Sequence, residues 1–140
     1  MIKIFLKIIL ILLLSKVNLQ AKSEFYQKGI DLFNKNKFEE AKFKFEQDIV
    51  LNPKSELSYL YLSKIFNKQN KQNLEEQNLS TVILLNPKNE EAIYQLARLK
   101  LNLSDYNKSK ELNKRLKSIC KKFCSKSEKL KSEIENLSKK

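Results

Sequence analysis

Val50-Leu51-Asn52-Pro53-Lys54-Ser55-Glu56 is followed 34 residues later by Leu84-Leu85-Asn86-Pro87-Lys88-Asn89-Glu90. Two aliphatic residues, then Asn-Pro-Lys, then a polar residue and Glu recur in the same order. A fixed interval of this length marks stacked helical units, each too small to bury its apolar face alone. An ordinary bundle needs apolar stripes on its helices but has no reason to repeat a turn sequence at a constant interval.

The rest of the chain agrees with an all-α reading. In 140 residues, Gly29, Pro53 and Pro87 are the only glycine and prolines, whereas hairpin-rich folds need these residues at many tight turns. Leu, Lys, Glu and Gln dominate and cost little in a helix. Hydrophobic residues make up 41% of the chain, enough for the core of one small domain. The formal charge is +12, yet Arg98 and Arg115 are the only arginines. Nucleic-acid surfaces rely on arginine for bidentate contacts, so no nucleic-acid partner is expected.

Chemistry for catalysis is missing. The chain has no histidine, the usual base near neutral pH and the commonest metal ligand. One glycine cannot build a phosphate-cradling loop. The neighbouring pairs Glu39-Glu40, Glu75-Glu76 and Glu90-Glu91 point in different directions along a helix and read as solvated charges. No enzymatic activity, cofactor or metal site is expected.

Residues 1–21, MIKIFLKIILILLLSKVNLQA, place Lys3 and Lys7 ahead of an apolar run from Ile8 to Leu14, then a polar stretch ending at Ala21. That is the layout of a secretory signal peptide. The run is shorter than the about 20 apolar residues needed to span a bilayer, so an exported, periplasmic or envelope-associated protein is expected, with tethering by an uncleaved signal as the alternative. Removing this segment takes away three lysines and no acid, leaving +9.

With a period of 34, Phe25, Gly29, Leu32, Phe38, Ala41, Phe45 and Pro53 form one unit, with Lys28 as its departure. Tyr59, Leu62, Ser63, Phe66, Leu79 and Pro87 form a second, which carries Gln72 and Glu75 where an aromatic and a small residue are usual. Ile93, Leu96, Ala97, Tyr106 and Ser109 form a third, which departs at Lys100 and Asn113 and has Lys121 where proline is due. These residues resemble the tetratricopeptide repeat family, as seen in small exported bacterial members. Small Gly29, Ser63 and Ala97 let two helices approach, large residues fill the space between them, and Pro53 and Pro87 are expected to begin the following helices.

The expected architecture is antiparallel helix pairs stacked as a short right-handed solenoid: a signal peptide over 1–21, repeats over 22–55, 56–89 and a degenerate 90–123, and a capping helix over 124–140. Helices are expected near 23–35, 38–51, 55–68, 72–85, 89–102 and 105–122. Ser125-Lys126-Ser127-Glu128 reads as an S-x-x-E capping box for the last helix, with Leu130, Ile134 and Leu137 at helical spacing. Cys120 and Cys124 fit neither a zinc site nor a C-x-x-C motif. In an unbroken helix their Cβ atoms lie beyond the about 3.5–4.5 Å that a disulfide needs. Either the helix ends between them and they lock the joint, or they are two thiols buried beside Leu116, Ile119 and Phe123.

The resemblance implies a non-catalytic scaffold whose first helices line a concave groove for a peptide or helix of a partner protein. It places Tyr26, Ile30, Phe33, Leu57, Leu60, Lys64, Asn67, Tyr94, Arg98 and Leu101 there, with Lys64 and Arg98 as isolated charges. The family's carboxylate clamp is absent, because Tyr26, Ile30, Tyr61, Glu91 and Gln95 stand at its places. The alternative partner is an anionic membrane, cell-wall polymer or acidic protein, held by the C-terminal third, where twelve basic residues face four acidic ones between Lys108 and Lys140. Mass spectrometry of the native protein should find residues 1–21 removed, and an intact Met1 on a cytoplasmic species would end the export reading.

Overall fold

The computed structural model describes residues 23–139, so the expected signal segment lies outside the described residues. Within them the chain forms α1 (Glu24–Asn34), α2 (Phe38–Leu51), α3 (Glu56–Lys68), α4 (Gln72–Leu85), α5 (Glu90–Asn102), α6 (Tyr106–Ile119) and α7 (Cys124–Leu137). The expected boundaries agree to within one residue, except that α6 stops at Ile119 instead of 122 and α7 at Leu137 instead of 140. The largest interfaces join α1 to α2, α3 to α4 and α5 to α6, and α7 packs on α6 and touches α5. None of these helices is long and apolar enough to cross a membrane.

Within each pair the turn is set by one left-handed residue, and these residues follow the same period as the prolines. Asn36, Asn70 and Ser104 have φ of 58°, 55° and 60°. Each lets the next amide turn back, so that Lys37, Lys71 and Asp105 donate to the carbonyls of Leu32, Phe66 and Lys100, all at 2.9 Å. Asparagine tolerates this conformation better than most residues, and Ser104 is the least natural of the three.

Between pairs the prolines act differently from expectation. Pro53 and Pro87 do not begin helices, which start three residues later, at Glu56 and Glu90. They occupy the second position of a turn closed by the Ser55 amide on the Asn52 carbonyl at 2.9 Å and the Asn89 amide on the Asn86 carbonyl at 3.1 Å. The fixed φ of proline suits that position, and both rings are exposed rather than packed.

Packing confirms the need for small residues on the first helix of each pair. A Cβ built on Gly29 would stand 2.7 Å from Cε1 of Phe45. Ser63 and Ala97 are fully buried at the equivalent places. Phe45 stacks on Tyr61 with ring centroids 5.0 Å apart, and Phe33 meets Phe38 and Tyr61 edge-on. The first core cluster is therefore aromatic, with Ala41, Leu62 and Phe66 in it. The second is aliphatic and runs from Leu60 through Leu96 and Leu116 to Leu130 and Ile134, with Tyr59 packed against it. Phe25 is only half-buried, its ring 5.4 Å from Lys44 Nζ.

Polar groups that the repeat carries into the core meet partners there. Asp48 stands where Val82 and Leu116 stand in later units and is 1% exposed. Its carboxylate accepts the hydroxyls of Ser23, Ser58 and Ser55, the last at 2.5 Å. Asn113, one of the departures in the third unit, donates to the Ser127 carbonyl at 3.0 Å and accepts the Ser127 hydroxyl at 2.9 Å. It thereby ties α6 to α7. A buried polar group without such a partner would cost about 1–3 kcal/mol.

The α6–α7 joint differs from the capping box expected at Ser125. α7 begins at Cys124 with Phe123 as its cap residue, and no side chain caps it. Glu128 instead pairs with Lys117 at 2.8 Å. The break between the cysteines is real, and Cys120 and Cys124 form a disulfide across it with Cα atoms 5.3 Å apart. They are not buried thiols. The Glu90 carboxylate accepts the amides of Lys121, Lys122 and Phe123 at 2.8, 2.9 and 2.8 Å. Desolvation pushes its pKa up, but those three amides and the charge of Lys121 outweigh it and hold the carboxyl below its usual range.

Gly29→Leu should destabilise the fold strongly. The gain in helix propensity, about 1 kcal/mol, is smaller than the overpacking cost against the Phe45 ring, about 3 kcal/mol. A circular dichroism melt should fall by about 10 °C, and an unchanged melt would show that α1 and α2 do not meet as described.

Candidate partner-binding groove

A cavity of about 280 Å³ opens between α1, α3, α4 and α5, lined by Phe33, Lys64, Asn67, Lys68, Glu75, Gln95, Arg98, Leu99 and Asn102. Four of the expected groove residues, Phe33, Lys64, Asn67 and Arg98, come together in it from three successive helix pairs. Helices repeated at a constant interval place equivalent side chains side by side, and Lys64 and Arg98 are such equivalents.

The other expected groove residues divide by burial. Tyr26, Leu60 and Leu101 are each 4% exposed and belong to the packed interior, so they correct the expectation of partner contact. Burial, with Tyr61 and Asp48 close by, pushes the Tyr26 hydroxyl up to about 12. Ile30 is half-buried against the aromatic cluster, and Leu57 is 37% exposed. Tyr94 lies against Phe123 with centroids 5.6 Å apart, under the Lys126 ammonium.

Lys64 and Arg98 are not isolated charges. Lys64 Nζ lies 2.8 Å from Glu91 and 4.9 Å from the Tyr61 ring centroid, and Arg98 pairs with Glu133 of α7. Lys68 adds a third cation, 5.1 Å from the Phe38 ring centroid. Exposed pairs of this kind contribute about 0–1 kcal/mol each, so an incoming group can compete for these cations. Among the described residues no grouping of His, Cys, Asp and Glu could hold a metal ion.

Glu75, expected to be a solvated charge, is 3% exposed at the edge of this cavity. It occupies the place held by Ala41 in the first unit and Ser109 in the third, both fully buried, so the period carries its carboxylate inward. Asn67 Nδ2 donates to its two oxygens at 3.0 and 3.1 Å. Burial pushes its pKa up, and the Asn67 amide opposes this. The period itself was the signal that could have placed Glu75 inside. Lys68, Gln95, Leu99 and Asn102 were also not anticipated as lining residues.

The raised pKa makes a signed prediction. A carboxyl that binds its proton more tightly in the folded chain adds stability below its unfolded pKa and loses that contribution as the pH rises through the folded value. Glu75→Gln keeps an acceptor for Asn67 and removes the charge, so it should melt above the parent at pH 7. Near pH 4, about the unfolded value for Glu, the difference should vanish, and an equal difference at both pH values would rule out the buried charge as its source.

No protein-family model matches the chain, and no curated protein matches it closely. Solved structures do. The Yersinia enterocolitica type III secretion chaperone SycD, in complex with a peptide of the translocator YopD, superposes with a TM-score of 0.73 at 16% identity, covering 84% of this chain and 93% of SycD. The first tetratricopeptide domain of Spaghetti (RPAP3), bound to an HSP90 peptide, gives 0.72 at 15% identity over 81% of this chain and 90% of that domain. The TPR2B domain of yeast Sti1, in a complex with pHsp70, gives 0.75 at 13% identity over 81% and 95%. The helix pairs described above thus have the fold of tetratricopeptide repeat domains.

Proposed function

We propose that this protein is a non-catalytic adaptor of the cell envelope whose groove receives a peptide or helix of a partner protein. The observation that carries the reading is the convergence of Phe33, Lys64, Asn67 and Arg98, from three helix pairs, on one open cavity. Such a surface offers an apolar wall, amides for a peptide backbone and cations that exchange partners at little cost. SycD and the Spaghetti domain were both solved with peptides bound, which supports the same use of this fold. The layout of residues 1–21 supports export, and the Cys120–Cys124 disulfide suits an oxidising compartment.

A photo-cross-linking residue at position 67, on the groove, should capture a defined envelope protein, whereas one at exposed position 77 on α4 should not. Lys64→Ala combined with Arg98→Ala should reduce that capture by about tenfold, a loss of about 1.4 kcal/mol in binding, with melting nearly unchanged. Equal capture from positions 67 and 77, or capture indifferent to both substitutions, would refute the groove as the binding site.

A further inference from the structure

The Cys120–Cys124 disulfide lies apart from the groove and has the surroundings of a reactive sulfur pair. Cys124 is exposed and is the first residue of α7, while Cys120 is half-buried. A helix N-terminus without a side-chain cap favours negative charge beside it. The charged residues that flank the pair in sequence are Lys117 of α6, Lys121 and Lys122 of the joint, and Lys126 and Glu128 of α7, and Glu90 of α5 packs on the loop between the cysteines. Lys117 is paired with Glu128 and the charge of Lys121 acts on Glu90, whereas Lys122 and Lys126 form no salt bridge among the described residues. Cations and a helix N-terminus stabilise a thiolate over a thiol.

Glu90 supplies the second requirement of a reversible pair, a scaffold that persists when the sulfurs part. Its carboxylate holds the three amides that lie between the cysteines, at 2.8–2.9 Å, through contacts that do not involve the sulfurs. Leu130 and Ile134, both buried, and the Asn113–Ser127 contacts keep α7 on α6 independently. The two thiols would therefore stay close after reduction.

We infer that Cys120 and Cys124 form a redox-active disulfide that exchanges with a protein dithiol, Cys124 being the sulfur attacked. A thiolate of the dithiol forms a bond to Cys124 Sγ, the Sγ–Sγ bond breaks, and Cys120 leaves as a thiolate that takes a proton. Its S–H can then donate to the Lys117 carbonyl, 3.8 Å from Cys120 Sγ. The second thiolate of the dithiol attacks its own sulfur in the mixed disulfide and releases Cys124 as a thiolate, stabilised by the helix N-terminus and the lysines. The dithiol loses two electrons and becomes a disulfide, and the cysteine pair gains both. The protein's own disulfide is the oxidant for one turnover.

Dithiothreitol is a suitable probe dithiol for the purified, oxidised full chain. Without denaturant it should reduce the pair with the helical circular dichroism retained, and in Cys120→Ser the remaining thiol should alkylate with iodoacetamide at a pH well below that of an ordinary thiol. Lys121→Gln with Lys122→Gln should slow the exchange by about tenfold and move the alkylation profile to higher pH, and Lys121→Arg with Lys122→Arg should restore both. Reduction only in denaturant, loss of helix on reduction, or an alkylation profile indifferent to these lysines would each overturn the inference and leave the disulfide a structural staple.

Discussion

The close approach of the two helices in each pair is the constraint on which the rest depends. Gly29 leaves no room for even a methyl group beside Phe45, and Ser63 and Ala97 repeat the condition where they are fully buried. Because the crossing recurs at a constant interval, each pair presents the same faces to its neighbours. The stack, the position of the groove and the end that α7 must close all follow from that geometry. Interiors are packed densely enough that a single added carbon at such a crossing must displace a neighbour, here the Phe45 ring.

The same regularity decides which unusual residues matter. Asp48, Glu75 and Asn113 all stand at positions that the repeat carries inward, and each is met by a neighbour: serine hydroxyls for Asp48, Asn67 for Glu75 and Ser127 for Asn113. All three tie helices together. Glu75 differs, because its partner Asn67 also lines the cavity, so a buried carboxylate sits beside the cations of the groove.

The joint between α6 and α7 shows how a degenerate repeat ends. Lys121 replaces the turn proline of earlier units, and the regular turn is replaced by a short loop held by the Glu90 carboxylate and spanned by the disulfide. Two fastenings with different chemistry hold one loop. Beside them Phe123 lies against Tyr94, their ring centroids 5.6 Å apart.

Much of this molecule was legible in the sequence because its signals are local and repeated. The recurrence of Asn-Pro-Lys, the spacing of small and large residues and the shortage of glycine and proline determined the all-α class, the helix pairs and nearly every boundary. Lys64 and Arg98 could be placed on one face because the period makes them equivalents. What the tertiary structure decided is which side chains remain open to a partner. Tyr26, Leu60 and Leu101 have groove spacing, yet packing from a second direction buries them. The period could have turned Glu75 inward, but Glu90 reads as half of a solvated pair until the chain returns with the amides of Lys121, Lys122 and Phe123. Periodicity sets the face on which a residue lies, but its exposure depends on segments about 30 residues away, which no local pattern contains.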